Sequence, residues 1–213
     1  MKIAIIGANG KIGSRIAAEA LSRGHRVTGI ARNPQSGQGN EQIHWIKADA
    51  LDTEGLAAAL KDQDALISAF GIDWHNPATY PLFSQVAASV IAAAKQAGIK
   101  RIINVGGAGS LEVAPGLQLV DTPSFPDTWK QGAHEQRKSL DIFRKEKELD
   151  WTFFSPAIMI EPGPRRGKFR LGKDNPVFDE KGNSQISYDD YAVALIDELE
   201  KPQFIKQRFT IGY

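Results

Sequence analysis

Cysteine is absent from this chain of 213 residues. That excludes disulfides, a thiol nucleophile and a thiolate metal site. Neither sign of charge is in excess: 26 Lys and Arg stand against 25 Asp and Glu, for a formal net charge of +1. Such a balance offers nothing to a nucleic-acid partner or a membrane surface. No apolar run approaches the roughly 20 residues of a membrane span. The stretch from Ile3 to Ala8 is too short for a signal-peptide core, and Asn9-Gly10-Lys11 interrupts it. A cytoplasmic location is therefore expected. Histidine is scarce, with four in the chain, and none stands in a metal-ligating pattern. What remains is ordinary globular composition, 42% hydrophobic and 24% charged. The length suits one large α/β domain with at most a small C-terminal elaboration.

The informative stretch comes first. Lys2-Ile3-Ala4-Ile5-Ile6 reads as a buried strand, Gly7-Ala8-Asn9-Gly10-Lys11-Ile12-Gly13 as a glycine turn, and Ser14 to Arg23 as a helix. A strand, a glycine turn and a helix N-terminus together hold a dinucleotide pyrophosphate. Gly7 permits the tight turn, Gly10 lets the backbone approach the phosphates, and Gly13 allows close packing of helix and strand. The spacing G-x-x-G-x-x-G, not G-x-G-x-x-G, points to the short-chain dehydrogenase and epimerase branch of nucleotide-binding folds. Asn9, Lys11 and Ile12 belong to the same cradle.

Next comes Arg26–Ala31, read as a second strand. An NAD-specific site usually carries Asp or Glu at its end, bonded to the adenosine ribose. Here the strand runs into Ala31-Arg32-Asn33-Pro34, with no carboxylate. A guanidinium makes paired, charge-assisted bonds to phosphate, so Arg32 is expected to meet the 2′-phosphate of NADPH, with NADH possible. Gln35 to Glu41 reads as a mobile loop. Ile43–Lys47 is a third strand, after which Asp49, with Ala50, is the candidate for the adenine end, and Asp52 or Thr53 caps the next helix. Ala65 to Gly71 reads as a fourth strand whose small end, Ala69-Phe70-Gly71, lets the backbone pass beneath the nicotinamide ribose. Trp74 and His75 follow at the carboxyl edge, where ligands bind in open α/β folds, and either wall the substrate or form an exposed turn. A helix from Thr79 to Ala97 is closed by Gly98 and leads to a fifth strand, Arg101–Val105. The alternation of strands and helices predicts parallel β-α-β units and a Rossmann-type doubly wound sheet with helices on both faces.

A second absence concerns catalysis. Ordinary short-chain dehydrogenases place a Ser after the fifth strand and a Tyr-x-x-x-Lys pair on the next helix, where Lys lowers the Tyr pKa and Tyr protonates the substrate. Here the strand runs into Gly106-Gly107-Ala108-Gly109, with Ser110 displaced beyond it, and none of Tyr80, Tyr188, Tyr191 and Tyr213 is followed by Lys at that spacing. His134-x-x-x-Lys138, on a helix read from Thr128 to Glu148, is the nearest substitute, although a solvated polar face explains it better. The catalytic residue stays unassigned, with His134, Ser110 and Tyr80 as candidates.

Four stretches carry a family likeness: Gly7 to Gly13, Val105 to Leu111, Trp151 to Ala157, and Ile186 to Ala192. In that order they resemble the atypical short-chain dehydrogenases grouped as NAD(P)H-binding or NADH-flavin reductase-like proteins, and more distantly the biliverdin-IXβ/flavin reductases and NmrA-like proteins. The resemblance implies a nucleotide-binding core over about residues 1–155 and a substrate-side portion over 156–213. It places the backbone after Pro156 against the nicotinamide carboxamide. Where biliverdin-type reductases carry a Ser after the fifth strand, this chain has Gly107, which argues against serine-assisted protonation.

Leu111 to Asp127 reads as a long connection forming a wall or lid, or an inert packed loop. Trp151 to Phe154 reads as a sixth strand, Ser187-Tyr188-Asp189-Asp190 as a capped helix start, Pro202 as its stop, and Arg208 to Gly212 as a final strand. Arg165 and Arg166 either attract a flavin phosphate or are ordinary surface cations. The expected activity is NAD(P)H-dependent reduction of a flavin or similar planar acceptor, with flavin as substrate and not as prosthetic group. The alternatives are a non-catalytic NAD(P)-binding redox sensor of NmrA-like type, and an epimerase or carbonyl reductase. The sequence carries no mark of oligomeric state.

Overall fold

A computed structural model describes residues 1–34 and 41–213. Its main sheet has eight strands. In chain order these are β1 (Lys2–Ile6), β2 (Arg26–Ala31), β3 (Ile43–Lys47), β4 (Ala65–Ser68), β5 (Arg101–Val105), β8 (Asp150–Phe154), β10 (Arg170–Gly172) and β12 (Gln207–Gly212). Two small pairs stand apart: β6 (Glu112–Ala114) with β7 (Leu117–Gln118), and β9 (Met159–Glu161) with β11 (Gln185–Ser187). The spatial order is β10-β12-β8-β5-β4-β1-β2-β3, and every neighbour is parallel except β10 against β12. Chain order therefore reverses between β1 and β4, the switch point where a crevice opens beyond the strand ends.

The helices are α1 (Lys11–Ser22), α2 (Thr53–Ala59), α3 (Leu82–Ala97), α4 (Asp127–Lys145) and α5 (Tyr188–Glu200). Side chains of a strand alternate between faces, and β1 shows how both faces are covered. Ile3 and Ile5 enter the core under α1 and α5, while Ala4 and Ile6 enter the core under α2, α3 and α4. Strands buried on both faces read as near-continuous apolar runs, which is why β1, β4 and β5 were legible. Beneath α5, Phe154 stacks between Tyr191 and Phe209 with ring centroids 4.0 and 3.9 Å away. The Tyr191 hydroxyl donates to the Phe154 carbonyl at 2.6 Å, and burial pushes its phenol well up.

Several expected boundaries shift for physical reasons. Helix α1 begins at Lys11, so the second half of the glycine motif forms its first turn. Pro81 takes the N-cap of α3, preceded by a 3-10 turn at Pro77–Thr79, where one helix from Thr79 was expected. Strand β4 stops at Ser68, and Ala69 N–H still reaches the Ile6 carbonyl at 3.0 Å. Helix α4 ends at Lys145, because the Glu146 carboxylate turns back to accept from Glu148 and Leu149 N–H. The connection from Leu111 to Asp127 is built, carrying the β6–β7 hairpin and a 3-10 turn at Leu119–Asp121. Asp52 caps α2 by accepting from Gly55 N–H, and Ser187 caps α5 by accepting from Asp190 N–H. Of the loop read over Gln35 to Glu41, residues 35–40 lie outside the described part.

Candidate dinucleotide site at the carboxyl edge

The glycine turn is fixed by contacts that exclude a Cβ. Gly7 has φ +74°, and a Cβ there would lie 2.5 Å from the Ala69 carbonyl oxygen. One at Gly13 would lie 2.1 Å from the Gly7 oxygen, and one at Gly10 would lie 3.2 Å from it. Gly13 thus seats the helix start on the turn itself. Gly10 N–H bonds the Gly7 carbonyl at 2.9 Å, and Gly7 N–H bonds the Ile30 carbonyl at 3.2 Å. No side chain caps α1, and its first turn holds no acidic residue. The orphan N–H groups of such a start, with the positive end of the helix dipole, suit an anion. These residues fit a dinucleotide pyrophosphate, since at Gly7 and Gly13 a side chain would collide with backbone and at Gly10 it would be tight.

Asn9, Gly10 and Lys11 are exposed on the turn and Ile12 is half-buried. Arg32 is exposed just beyond β2, with no partner among the described residues. Asp49 is exposed after β3 and folds into a local turn, its carboxylate accepting from Leu51 N–H at 3.0 Å, while Ala50 is buried beneath it. Ala69 and Phe70 are half-buried and Gly71 is exposed. Pro156 is buried beyond β8, where its carbonyl accepts from the Thr210 hydroxyl at 3.2 Å. The strand order brings the turn, Arg32, Asp49, Ala69 and Pro156 to one edge of the sheet. A shallow groove of about 520 Å³ lies at the opposite, amino edge, lined by Lys2, His25, Arg26, His44 and Gln63 among others. The constrained backbone of the turn favours the carboxyl edge for the dinucleotide.

The three candidate proton donors stand on different elements, and of them only Tyr80 has its own proton in a hydrogen bond. The Tyr80 hydroxyl is buried and donates to the Trp74 carbonyl at 2.9 Å, holding the loop after β4. The Ser110 hydroxyl is buried against Arg208, which bonds its Oγ at 3.2 Å and its carbonyl at 2.7 Å. His134 Nδ1 accepts from Arg137, whose guanidinium also holds Gln118 and Asp121. Lys138 pairs with Glu135 and is exposed, so His134 and Lys138 do not act on one point. Arg165 pairs with the buried Glu19 at 2.8 Å, and the Arg166 guanidinium lies 3.9 Å over the Tyr213 ring. Both arginines thus have intramolecular partners. No group of three His, Asp or Glu among the described residues is placed to hold a metal, and no described helix is long and apolar enough to cross a membrane.

Sequence reasoning missed the inward face of α4. Gly132, Ala133, Ser139, Leu140 and Phe143 are buried there, and Gln136 sits half-buried among them. A Cβ on Gly107 would lie 1.9 Å from Gln136 Oε1, and one on Gly132 would lie 2.6 Å from the Trp74 ring. The signal was available. Ala133, Leu140 and Phe143 define one helical face, and Gln136 is the long polar residue within it.

The parallel sheet, its switch point and the anion-suited helix start define a Rossmann-type dinucleotide-binding protein. The chain belongs to the NAD(P)H-binding family, whose profile matches residues 7–202. Among similar solved structures, a Burkholderia pseudomallei protein provisionally named as exported shares 47% identity, with full coverage of both chains and a TM-score of 0.91. A provisionally named epimerase from Bacteroides thetaiotaomicron shares 44% identity over 100% of this chain and 96% of its own, at 0.89. A provisionally named NADH-flavin reductase from Streptococcus pneumoniae shares 40% over 100% and 99%, also at 0.89.

Proposed function

We propose that the protein is an NADPH-dependent reductase of a flavin or similar planar acceptor. The observation that carries this reading is that no candidate acid is set up to deliver a proton: Tyr80 gives its proton to the Trp74 carbonyl, Ser110 Oγ is buried under Arg208, and Lys138, which would back His134, is turned to Glu135. Carbonyl reduction or epimerisation needs a positioned proton donor or base. When bound, the dihydronicotinamide supplies a hydride, taken directly at a flavin ring nitrogen while water gives the second proton. The chain then has only to hold donor and acceptor face to face and limit their freedom. Gly7, Gly10 and Gly13, with the start of α1, bind the pyrophosphate. Asn9, Lys11 and Ile12 complete that cradle, Asp49 and Ala50 the adenine end, and Ala69, Phe70, Gly71 and Pro156 the nicotinamide end. Flavin is substrate here, and the Streptococcus relative's name agrees with that reading.

Arg32 sets the cofactor preference. Its guanidinium stands at the end of β2 with no carboxylate beside it in sequence, suited to a 2′-phosphate. Arg32→Ala should weaken NADPH binding by about 1.5–3 kcal/mol, roughly ten- to a hundredfold, and leave NADH nearly unchanged. Fluorescence titration with both nucleotides decides this, and equal losses would remove the assignment. Steady-state NADPH oxidation with riboflavin, FMN and a quinone tests the activity. Tight NADPH binding without oxidation by any acceptor would favour the redox-sensor reading, which the lack of a positioned acid also suits.

A further inference from the structure

Gln136 differs from its neighbours on α4. His134, Arg137, Glu135 and Lys138 all have partners on their own helix or on the connection before it. The Gln136 carboxamide has no hydrogen-bond partner among the described residues. It is half-buried and points to the carboxyl end of β5, where Gly107 leaves space for it. Gly107 is extended, at φ −124° and ψ 160°, so glycine is not needed there for backbone reasons. What it provides is room, since a Cβ would fall 1.9 Å from Gln136 Oε1. Gln136 borders a small space of about 10 Å³ that Ser68, Asn104 and Ser139 also line. Ser139 Oγ is buried there with no partner among the described residues. One turn earlier, Trp74 lies against Gly132 and is packed by Phe83, with ring centroids 5.7 Å apart. An aromatic wall and an unpaired carboxamide therefore stand side by side at the edge that holds the dinucleotide.

We infer that Gln136 is the acceptor-recognition residue, and that the acceptor it selects carries an imide edge, a carbonyl beside a ring N–H. The inference rests on the reductase reading above. A carboxamide offers one acceptor oxygen and one donor NH₂, the complement of an imide. A quinone, with carbonyls alone, uses only the donor half. Leaving either half unpaired against a bound ligand costs affinity through desolvation. Trp74 supplies the apolar surface for the ring, and Gly107 keeps the carboxamide in reach.

The test compares riboflavin with menadione as acceptors for wild-type protein, Gln136→Leu, Gln136→Glu, Gly107→Ala and the double variant Gly107→Ala/Gln136→Leu. Riboflavin KM should rise about tenfold in Gln136→Leu, which loses both halves of the contact, and menadione KM about threefold, as it loses only the donor half, with NADPH Kd nearly unchanged. Gln136→Glu keeps the size and the accepting oxygen but loses the donor, so it should raise menadione KM at least as much as riboflavin KM, the reverse of Gln136→Leu and a readout that stands if Gln136→Leu folds poorly. Gly107→Ala should raise riboflavin KM by displacing the carboxamide, and should add nothing once Gln136 is Leu. Riboflavin and menadione affected equally in Gln136→Leu, riboflavin unaffected there, or additive effects in the double variant would overturn the inference while leaving the reductase reading intact. Wild-type protein that binds NADPH and reduces neither acceptor would overturn both.

Discussion

Gly7 and Gly24 both have positive φ, +74° and +80°, and the difference between them isolates what the turn does. A Cβ at Gly7 meets the Ala69 backbone at 2.5 Å, whereas one at Gly24 has nothing within 4 Å. Gly24→Ala should therefore cost only the left-handed strain, about 1 kcal/mol, and leave nucleotide binding unchanged. In Gly7→Ala the clash is with backbone that has no room to yield. It should cost about 2–4 kcal/mol and abolish measurable NADPH binding. Denaturant midpoints and a nucleotide titration on the two variants check this. If both lose affinity alike, the turn is not the pyrophosphate cradle. Gly10 and Gly13 could be read from spacing because both answer to Gly7, a few residues away, and Gly7 from its place at the end of the first strand, although the Ala69 backbone it clears is distant in sequence. Gly107 could not, since its partner Gln136 is brought to it by the fold.

Among the elements, α5 shows how the C-terminal third is tied down. Asp190 is buried, and its carboxylate accepts from Arg166 N–H at 3.0 Å, Gly167 N–H at 2.9 Å and the Tyr213 hydroxyl at 2.7 Å. Burial opposes its ionisation, but the Gly167 and Arg166 N–H groups and Tyr213 outweigh that and hold the carboxyl below its ordinary value. Because the folded-state value is depressed, Asp190 contributes stability above the unfolded carboxylate pKa of about 3.9, and that stability is lost as pH falls through the folded value. Asp190→Asn should lower stability by roughly 1–3 kcal/mol at neutral pH. The gap from wild type should stay level down to about pH 5 and then close as the medium becomes more acid. Urea unfolding across that range checks it, and a gap unchanged at the acid end would contradict it. The Ser187 cap was legible, because S-x-x-D is a local pattern. The three bonds to the Asp190 side chain were not, as they join residues far apart in sequence. The short strands β9, β10 and β11 escaped for a related reason: three residues each carry too little alternation to register. On α4 the polar residues drew attention to His134, although the helix turns Gln136 inward instead.

For the molecule as a whole, nucleotide binding and folding are linked. A ligand that binds only the folded chain adds about 2.7 kcal/mol at a hundred times its Kd. In a chain of this length that is a rise in Tm of about 5–10 °C, expected with NADPH and smaller with NADH at equal concentration. The parallel sheet was legible from alternating elements, and with it the carboxyl edge proposed for the nucleotide. The acceptor side was not, because it is assembled from the ends of β4 and β5, the face of α4 and the loop carrying Trp74. In the proposed reading this assembly passes a hydride from NADPH to a planar acceptor without a side-chain acid. Anaerobic single-turnover mixing of the protein and NADPH with riboflavin tests it most directly. The expected result is matched loss of the nucleotide and flavin absorbances, well above the protein-free rate, with a hydride-transfer rate constant that is flat from about pH 6 to about pH 8, across the usual histidine titration range. Nucleotide bound but never oxidised, or a rate that follows a single ionisation in that range, would contradict it.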